Sequence, residues 1–176
     1  MTGRVRLIAG ALVIGLGVIL LVTAIAAMTH GGGADTSSVA APLRSTLQTA
    51  SPASAPFSAL TETRLRVGTR CLRVVVADSK AERERGLMGE ANLGPYDGML
   101  FVSPGVSSDA FTMSGTLVPL DIGWYDSTGR GVGRAAMVPC RSDVARCPVY
   151  RAGKPWRFAL ETMHGQLAGG SLGACA

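Results

Sequence analysis

Charged side chains are scarce in this sequence: Asp, Glu, Lys and Arg make up 16% of its 176 residues, against 47% hydrophobic residues. That balance is too apolar for an ordinary soluble protein. Aromatic residues reach only 5%, and no run of basic residues is interleaved with them. Because such runs are typical of nucleic-acid-binding proteins, we expect no nucleic-acid partner despite the net charge of +5.

The apolar excess is concentrated near the N-terminus. Residues 7–27 form an uncharged run that is long enough, at about 1.5 Å per residue, to cross a hydrocarbon core of about 30 Å. Arg4 and Arg6 precede the run, which predicts that residues 1–6 are cytoplasmic and that everything after Met28 is outside. The sequence therefore predicts a single-pass transmembrane helix that anchors the chain in the cytoplasmic membrane.

A cleaved signal peptide is the alternative to this anchor. Residues 24–26 have the small-x-small form that a signal peptidase accepts, and cleavage near Ala26 would give a secreted protein. The hydrophobic part of a signal peptide is typically about 7–15 residues long, which is shorter than the run found here. The length therefore favours a retained anchor.

The residues after the apolar run divide into a spacer and a domain. Residues 28–60 hold only two charged residues, Asp35 and Arg44, among Ser, Thr, Ala, Pro and Gly. Such a composition buries too little apolar surface to offset the entropy of ordering, so it predicts a flexible extracytoplasmic linker. Residues 61–176 have the length of a single domain with one core.

Short apolar segments separated by turn formers dominate this domain. Residues 65–76 predict one long strand, and residues 111–126 predict two neighbouring strands joined by a bend. Ser79 and Glu82 have capping-box spacing, which predicts a short helix over residues 80–88. We therefore expect a mainly β fold, a small antiparallel β-barrel or curled sheet with one short helix.

Several short motifs follow one another along the domain. They are GLM at 86–88, GMLF at 98–101, FxMxxTLxPLDI at 111–122, PC and CPVY within 139–150, and LE at 160–161. With these motifs in this order, residues 65–173 resemble the bacterial and archaeal family called domain of unknown function 192. The resemblance implies a small, β-rich, barrel-like fold, and the family has no firmly assigned activity.

The chain departs from the family pattern within the longest of these motifs. Where relatives commonly read FWMKNT, this chain has Thr112, Ser114 and Gly115 in place of the aromatic residue, the cation and the amide. The substitutions predict a smaller, uncharged rim beside Asp121.

All four cysteines lie beyond the predicted membrane segment, in the compartment where disulfides persist. Cys140 and Cys147 enclose a short loop that a disulfide would close. Cys71 on the first strand and Cys175 at the C-terminus could then pair, if the first and last strands lie side by side. The sequence predicts these two disulfides.

A metal site or a catalytic thiol is the alternative use of the cysteines. The spacing of Cys140 and Cys147 is not one of the compact zinc patterns, and His164 is the one histidine of the domain. A thiol nucleophile would need Cys140, His164 and Asp121 to meet, which their spacing does not indicate. We therefore expect neither a metal nor a cofactor.

Two carboxylates stand in apolar strands and are candidates for chemistry. Asp121 is expected either to face an open surface or to be buried and paired, for example with Arg85, because an unpaired buried charge is costly. Glu161 could share its pocket, and together with His164 the two acids would permit acid–base catalysis. Candidate binding residues are Arg85, Met113, Ser114 and Asp121.

These features favour a non-catalytic module outside the cytoplasmic membrane that binds a protein or a small ligand around residues 112–121 and Arg85. One alternative is an enzyme, hydrolase-like or of another class, that uses Asp121 and Glu161 in a cleft. Another is a purely structural component of the cell envelope. An open pocket that held Arg85, Asp121 and Glu161 together would favour the enzyme.

Overall fold

The computed structural model describes residues 39–141 and 144–175. Within them, no helix is long and apolar enough to span a membrane. The predicted cytoplasmic segment 1–6 and membrane helix 7–27 lie outside the described residues, as do residues 28–38 of the predicted linker.

The described part of the chain is mainly β. Its strands are β1 Ser51–Pro52, β2 Thr61–Val67, β3 Arg70–Ala77, β4 Gly98–Ser107, β5 Phe111–Thr112, β6 Leu120–Tyr125, β7 Gly131–Met137, β8 Val149–Tyr150, β9 Trp156–Met163 and β10 Leu172–Ala174. Its helices are α1 Ala41–Gln48, α2 Lys80–Arg85 and a 3-10 turn, Val144–Arg146.

Eight strands form one curled sheet in the order β1-β2-β3-β4-β9-β6-β7, with β10 also paired to β2. The predicted mainly β, curled sheet is thus confirmed, but in the described residues no strand pairing joins β7 to β2, so no closed barrel forms. Side-chain and backbone hydrogen bonds cross the seam instead. Arg134 donates to the Leu167 carbonyl at 3.1 Å, and the Leu172 N–H donates to the Gly129 carbonyl at 2.8 Å.

The sheet is mixed, whereas an antiparallel one was expected. β3 and β4 are parallel neighbours, and Val75 lies opposite Met99. Parallel neighbours require a crossover of a dozen or more residues, and residues 78–97, which include α2, provide it. The crossover covers one face of the sheet, and the cleft described below lies there.

Both faces of the central strands are buried, which explains their uninterrupted apolar runs. One face carries the side chains of Val75, Met99, Phe101, Ile122 and Trp124, and we call it the outer face. The other, the inner face, carries Val74, Leu100, Tyr125, Phe158 and Leu160.

The predicted long strand over residues 65–76 is wrong, because the chain turns at Gly68. β2 and β3 form a hairpin in which Val67 pairs with Arg70, leaving a two-residue turn. Gly68 has a φ of +59°, as the first position of a type II′ turn requires. The alternation of apolar residues continues through this glycine, so periodicity alone does not reveal the turn.

Residues 39–60 fold onto the sheet, although the sequence predicts a flexible linker there. They form α1 and β1, and the side chains of Val39 and Leu43 join the inner-face core. Thr63 of β2 donates a hydrogen bond to the Thr46 carbonyl at 2.9 Å. A few apolar residues are enough to order this segment, because the sheet supplies the surface that buries them. The composition of the segment alone does not reveal that surface. A second helix is thereby added to the expected one.

The two strands predicted within residues 111–126 are present, but they are not neighbours. β5 pairs with β8 in a separate two-stranded sheet, whereas β6 lies in the main sheet between β7 and β9. The segment between β5 and β6 turns at Gly115, which has a φ of +69°. β5 therefore lies over the sheet instead of within it.

The capping box of α2 is confirmed. The Glu82 N–H donates to the Ser79 hydroxyl, and the Glu82 carboxylate accepts from the Ser79 N–H. The helix ends at Arg85, three residues earlier than expected, because Gly86 takes a φ of +48°.

Both predicted disulfides are present: Cys71 is bonded to Cys175 and Cys140 to Cys147, with Cα–Cα distances of 5.6 and 5.7 Å. Among the described residues no cysteine is free. The thiol nucleophile considered above is therefore wrong for Cys140.

Candidate functional site

A cleft of about 710 Å³ opens on the outer face of the sheet. Its walls are α2 with the turn that follows it, the distal half of β4 with residues 108–110, and the segment from β5 to Thr116. Trp156 and Glu161 of β9 complete the lining. Segments far apart in sequence thus meet here.

An irregularity in β4 shapes one wall. The register between β4 and β9 shifts between Val102 and Ser107, so residues 103–106 bulge away from the ladder. Arg83 holds α2 against the strand just before the bulge, since its guanidinium donates to the carbonyls of Val102, at 3.1 Å, and Asp78. The bulge and the helix therefore both line the cleft.

Glu161 lies in the lining of this cleft. β9 places it between Met99 and Ile122, and its side chain belongs to the outer face with Ile122. Glu161 is 4% exposed, and no hydrogen bond or ion pair joins its carboxyl to another described residue. Burial raises the pKa of Glu161 to about 8, so this group is mostly a neutral carboxylic acid at neutral pH.

Hydroxyl groups and aromatic rings supply most of the remaining chemistry of the cleft. The hydroxyls belong to Ser103, Ser107, Ser108, Thr112, Ser114 and Thr116. The ring of Phe111 packs against Phe101 at 5.1 Å and Trp156 at 5.5 Å between centroids, forming an aromatic wall. A lining of this kind can surround a small ligand with apolar contact and with groups that both donate and accept hydrogen bonds.

Cations of the cleft are confined to α2, and each already has a partner. Lys80 pairs with Glu84. Arg85, whose side chain is 74% exposed, lies 3.7 Å from Glu90 and not beside Asp121. The expected Arg85–Asp121 pair is therefore wrong, and Arg85 belongs to the mouth of the cleft.

Asp121 lies outside the cleft, on the inner face of β6. It pairs with Thr162 across the strands, one residue away from the Ile122–Glu161 pair, so its side chain points to the opposite face. One carboxylate oxygen lies 2.8 Å from His164 Nδ1, and the other accepts the Gly165 N–H at 2.8 Å. These contacts fix the turn after β9.

The structure therefore separates the three candidate catalytic residues. Asp121 and His164 are together, but Glu161 is on the other side of the sheet, and the two acids cannot act on one substrate. Of the candidate binding residues, Ser114 and Arg85 line the cleft, whereas Met113 is fully buried in the outer-face core. Within the described residues, no group of His, Cys, Asp or Glu could hold a metal ion.

The hydroxyl residues of the bulge and of β5 are the part of the site that sequence reasoning missed. Their one signal is a concentration of Ser and Thr between residues 103 and 116, which is also typical of loops. Two of the departures from the family pattern, Thr112 and Ser114, lie in the cleft lining. The third, Gly115, packs beside Met88, whose side chain is also part of that lining.

Two solved structures are similar to this chain. One is a protein of unknown function from Novosphingobium aromaticivorans DSM 12444, with 30% identity and a TM-score of 0.57 over 66% of this chain and 84% of that one. The other is described as a putative transcription regulator from Sinorhizobium meliloti 1021, with 27% identity and a TM-score of 0.53 over 62% of this chain and 88% of that one.

No curated protein matches the sequence. The family model for domain of unknown function 192, described as an uncharacterized ACR, matches residues 63–173. That match takes in the α2 crossover, the β4 bulge, β5 and Glu161, and so the whole lining of the cleft. The chain is a member of the domain of unknown function 192 family.

Proposed function

We propose that this chain is a non-catalytic binding module, tethered outside the cytoplasmic membrane, that holds a small ligand in the cleft over Glu161. The observation that carries the proposal is the buried carboxyl of Glu161, which has no protein partner among the described residues and faces an open cavity. A buried polar group without a partner is destabilising. A ligand that forms a hydrogen bond or an ion pair with the Glu161 carboxyl would remove this destabilisation.

Binding is favoured over catalysis because Glu161 stands alone as a buried acid in the cleft. The other carboxylates of the described lining, Glu84 and Asp109, are exposed at the mouth. Asp121 is on the opposite face of the sheet. The described lining therefore holds no second buried carboxylate to complete an acid–base pair with Glu161, and a single enclosed acid suits recognition.

Support for the location comes from the sequence and from the disulfides. Residues 7–27 have the length and composition of a membrane anchor, and all four cysteines are paired. Protease treatment of intact spheroplasts tests the orientation. Degradation of the domain with the N-terminus protected is expected, and a protected domain would contradict the proposal. The intact mass of the membrane-bound chain distinguishes a retained anchor from cleavage near Ala26.

The binding function can be tested by NMR on the ¹⁵N-labelled full-length chain. The probes are a library of cationic, neutral and anionic fragments of known composition. At least one class is expected to shift the amide signals of residues 84–88, 103–116 and 161. A library that leaves these signals unchanged contradicts the proposal.

A pair of variants shows whether the shifts come from the cleft. Thr112→Trp puts a large ring into the lining and should abolish binding. Val138→Trp is the matched control, because Val138 is an exposed residue outside the cleft and the same ring there should leave binding intact. Equal binding by both variants would place the ligand elsewhere.

A further inference from the structure

We propose that the ligand of this cleft carries a protonated amine that forms an ion pair with Glu161. This inference rests on the proposed function and names the chemical class of the ligand. It starts from a carboxyl in the lining that is 4% exposed, has no hydrogen bond or ion pair in the described structure, and faces a cavity of about 710 Å³.

None of the cations of the cleft serves as the partner of Glu161. Lys80 is paired with Glu84, and Arg85 lies beside Glu90. Arg83 donates to two backbone carbonyls that fix α2 on β4. Since each lining cation contacts another acceptor, a cation that pairs with the Glu161 carboxylate would come from the ligand.

The charge balance of the cleft permits a cationic ligand. The charged groups that face it are Lys80, Arg83, Glu84 and Arg85 from α2, Asp109 from the loop after β4, and Glu161 from β9. With Glu161 protonated, the cations exceed the anions by one. When an ammonium group binds, it replaces the proton of Glu161, so one positive charge is exchanged for another and the net charge is unchanged.

The surroundings of Glu161 fit an amine better than an anion or an alcohol. An ammonium group has three donors, and the lining of the cleft offers the Glu161 carboxylate and the hydroxyls of Ser114 and Thr116 as acceptors. The aromatic wall formed by Phe111 and its neighbours can also stabilise a cation. An anion or an alcohol can bind Glu161 through hydrogen bonds to its protonated form, whereas an ammonium group forms an ion pair with the carboxylate.

The exchange of a proton for an ammonium group fixes the pH dependence of binding. Burial raises the pKa of Glu161 to about 8, so below that pH each bound amine must displace a proton. Affinity should therefore rise about tenfold per pH unit between pH 6 and 7.5 and level off above 8. At pH 6.5, close to one proton should be released for each amine bound.

The test is isothermal titration of the full-length chain with three matched probes: benzylamine, benzyl alcohol and benzoate. Titrations in two buffers of different ionisation enthalpy give the number of protons released. Benzylamine should bind at least tenfold more tightly than the other two at pH 7.5, with the proton release and the pH dependence just described.

Two variants connect the binding to Glu161. Glu161→Gln keeps the shape of the side chain but cannot ionise, so amine binding should fall at least tenfold and lose its pH dependence. Ser114→Lys adds an ammonium group to the lining and should compete with the probe for Glu161. Thermal unfolding of both variants verifies that they are folded.

Four results would overturn the inference: failure of benzylamine to bind, equal binding of benzyl alcohol or benzoate, amine binding that does not change with pH, or unchanged binding by Glu161→Gln. If another class of fragment still shifts the cleft signals in the NMR experiment, the proposed function survives and only the amine is wrong. If no class does, both fail.

Discussion

At the scale of single residues, Glu161 and Asp121 show that a shift of one strand position determines which face of the sheet a carboxylate occupies. Both lie in apolar strands, and nothing in the sequence pattern distinguishes their environments. The register of β6 against β9 sends Glu161 to the cleft and Asp121 to a set of hydrogen bonds at a turn. The first is buried without a partner among the described residues, and the second is hydrogen-bonded to His164 and Gly165.

Replacing Glu161 by Gln should stabilise the protein at neutral pH. Burial raises the pKa of Glu161 from its ordinary value of 4.5 to about 8. Below pH 4.5 the acid is neutral in both the folded and the unfolded chain, so its burial costs no ionisation energy. As the pH rises from 4.5 to 8 the unfolded chain gains the ionised form, and the folded protein loses stability relative to it. At pH 7.5 the buried acid should cost on the order of a few kcal/mol. Urea unfolding of both proteins at pH 4.5 and 7.5 measures this, and an equal difference at the two pH values would contradict it.

Replacing Asp121 by Ala should have the opposite effect on stability and none on the cleft. The change removes the acceptor of the Gly165 N–H and of the His164 ring, which should cost about 1–3 kcal/mol in urea unfolding. Binding of any cleft ligand should persist, because Asp121 lies on the other face of the sheet. A loss of binding in the folded variant would refute this assignment.

At the scale of elements, sequence reasoning succeeds where the signal is local. The capping box needs only Ser79 and Glu82, and the pairing of Cys140 with Cys147 needs only a short loop. The β2–β3 turn is missed because Gly68 interrupts no hydrophobic pattern. The cleft is missed because α2, the β4 bulge, β5 and β9 meet through the register of a sheet, which no segment specifies by itself.

The β2–β3 turn should tolerate a methyl group poorly. A Cβ at Gly68 would lie 2.2 Å from the Gly169 carbonyl oxygen, in addition to the strain of a φ of +59°. Gly153 is a matched control, because its φ is +74° but nothing lies within 4 Å of the added atom. Gly68→Ala should therefore destabilise the protein by at least about 1 kcal/mol more than Gly153→Ala. Equal losses of unfolding free energy for the two variants would show that the turn accommodates the added methyl group.

At the scale of the whole molecule, the two disulfides differ in how much of the chain each encloses. Cys71–Cys175 joins residues 104 positions apart, whereas Cys140–Cys147 spans seven. The former thus ties the C-terminal strand to the start of the domain. The latter closes a loop whose Cys140 exchanges backbone hydrogen bonds with Met113 and Gly115, beside the cleft wall.

Loss of the long-range disulfide should be the more damaging. The chain-entropy estimate is about 4–5 kcal/mol for the loop closed by Cys71–Cys175 and about 2–3 kcal/mol for that of Cys140–Cys147. The paired variants Cys71→Ser with Cys175→Ser, and Cys140→Ser with Cys147→Ser, can be compared by thermal unfolding. Should the second pair lower the midpoint more, the short loop contributes native contacts beyond its closure entropy.

The placement of the two tryptophans gives the protein a built-in optical reporter. Trp156 lines the cleft, whereas Trp124 is sealed in the core beside Phe111. A molecule entering the cleft will change the emission of one indole and leave the other as an internal reference. Cleft occupancy can therefore be followed by intrinsic fluorescence on an unlabelled chain, with Trp156→Phe as the blank.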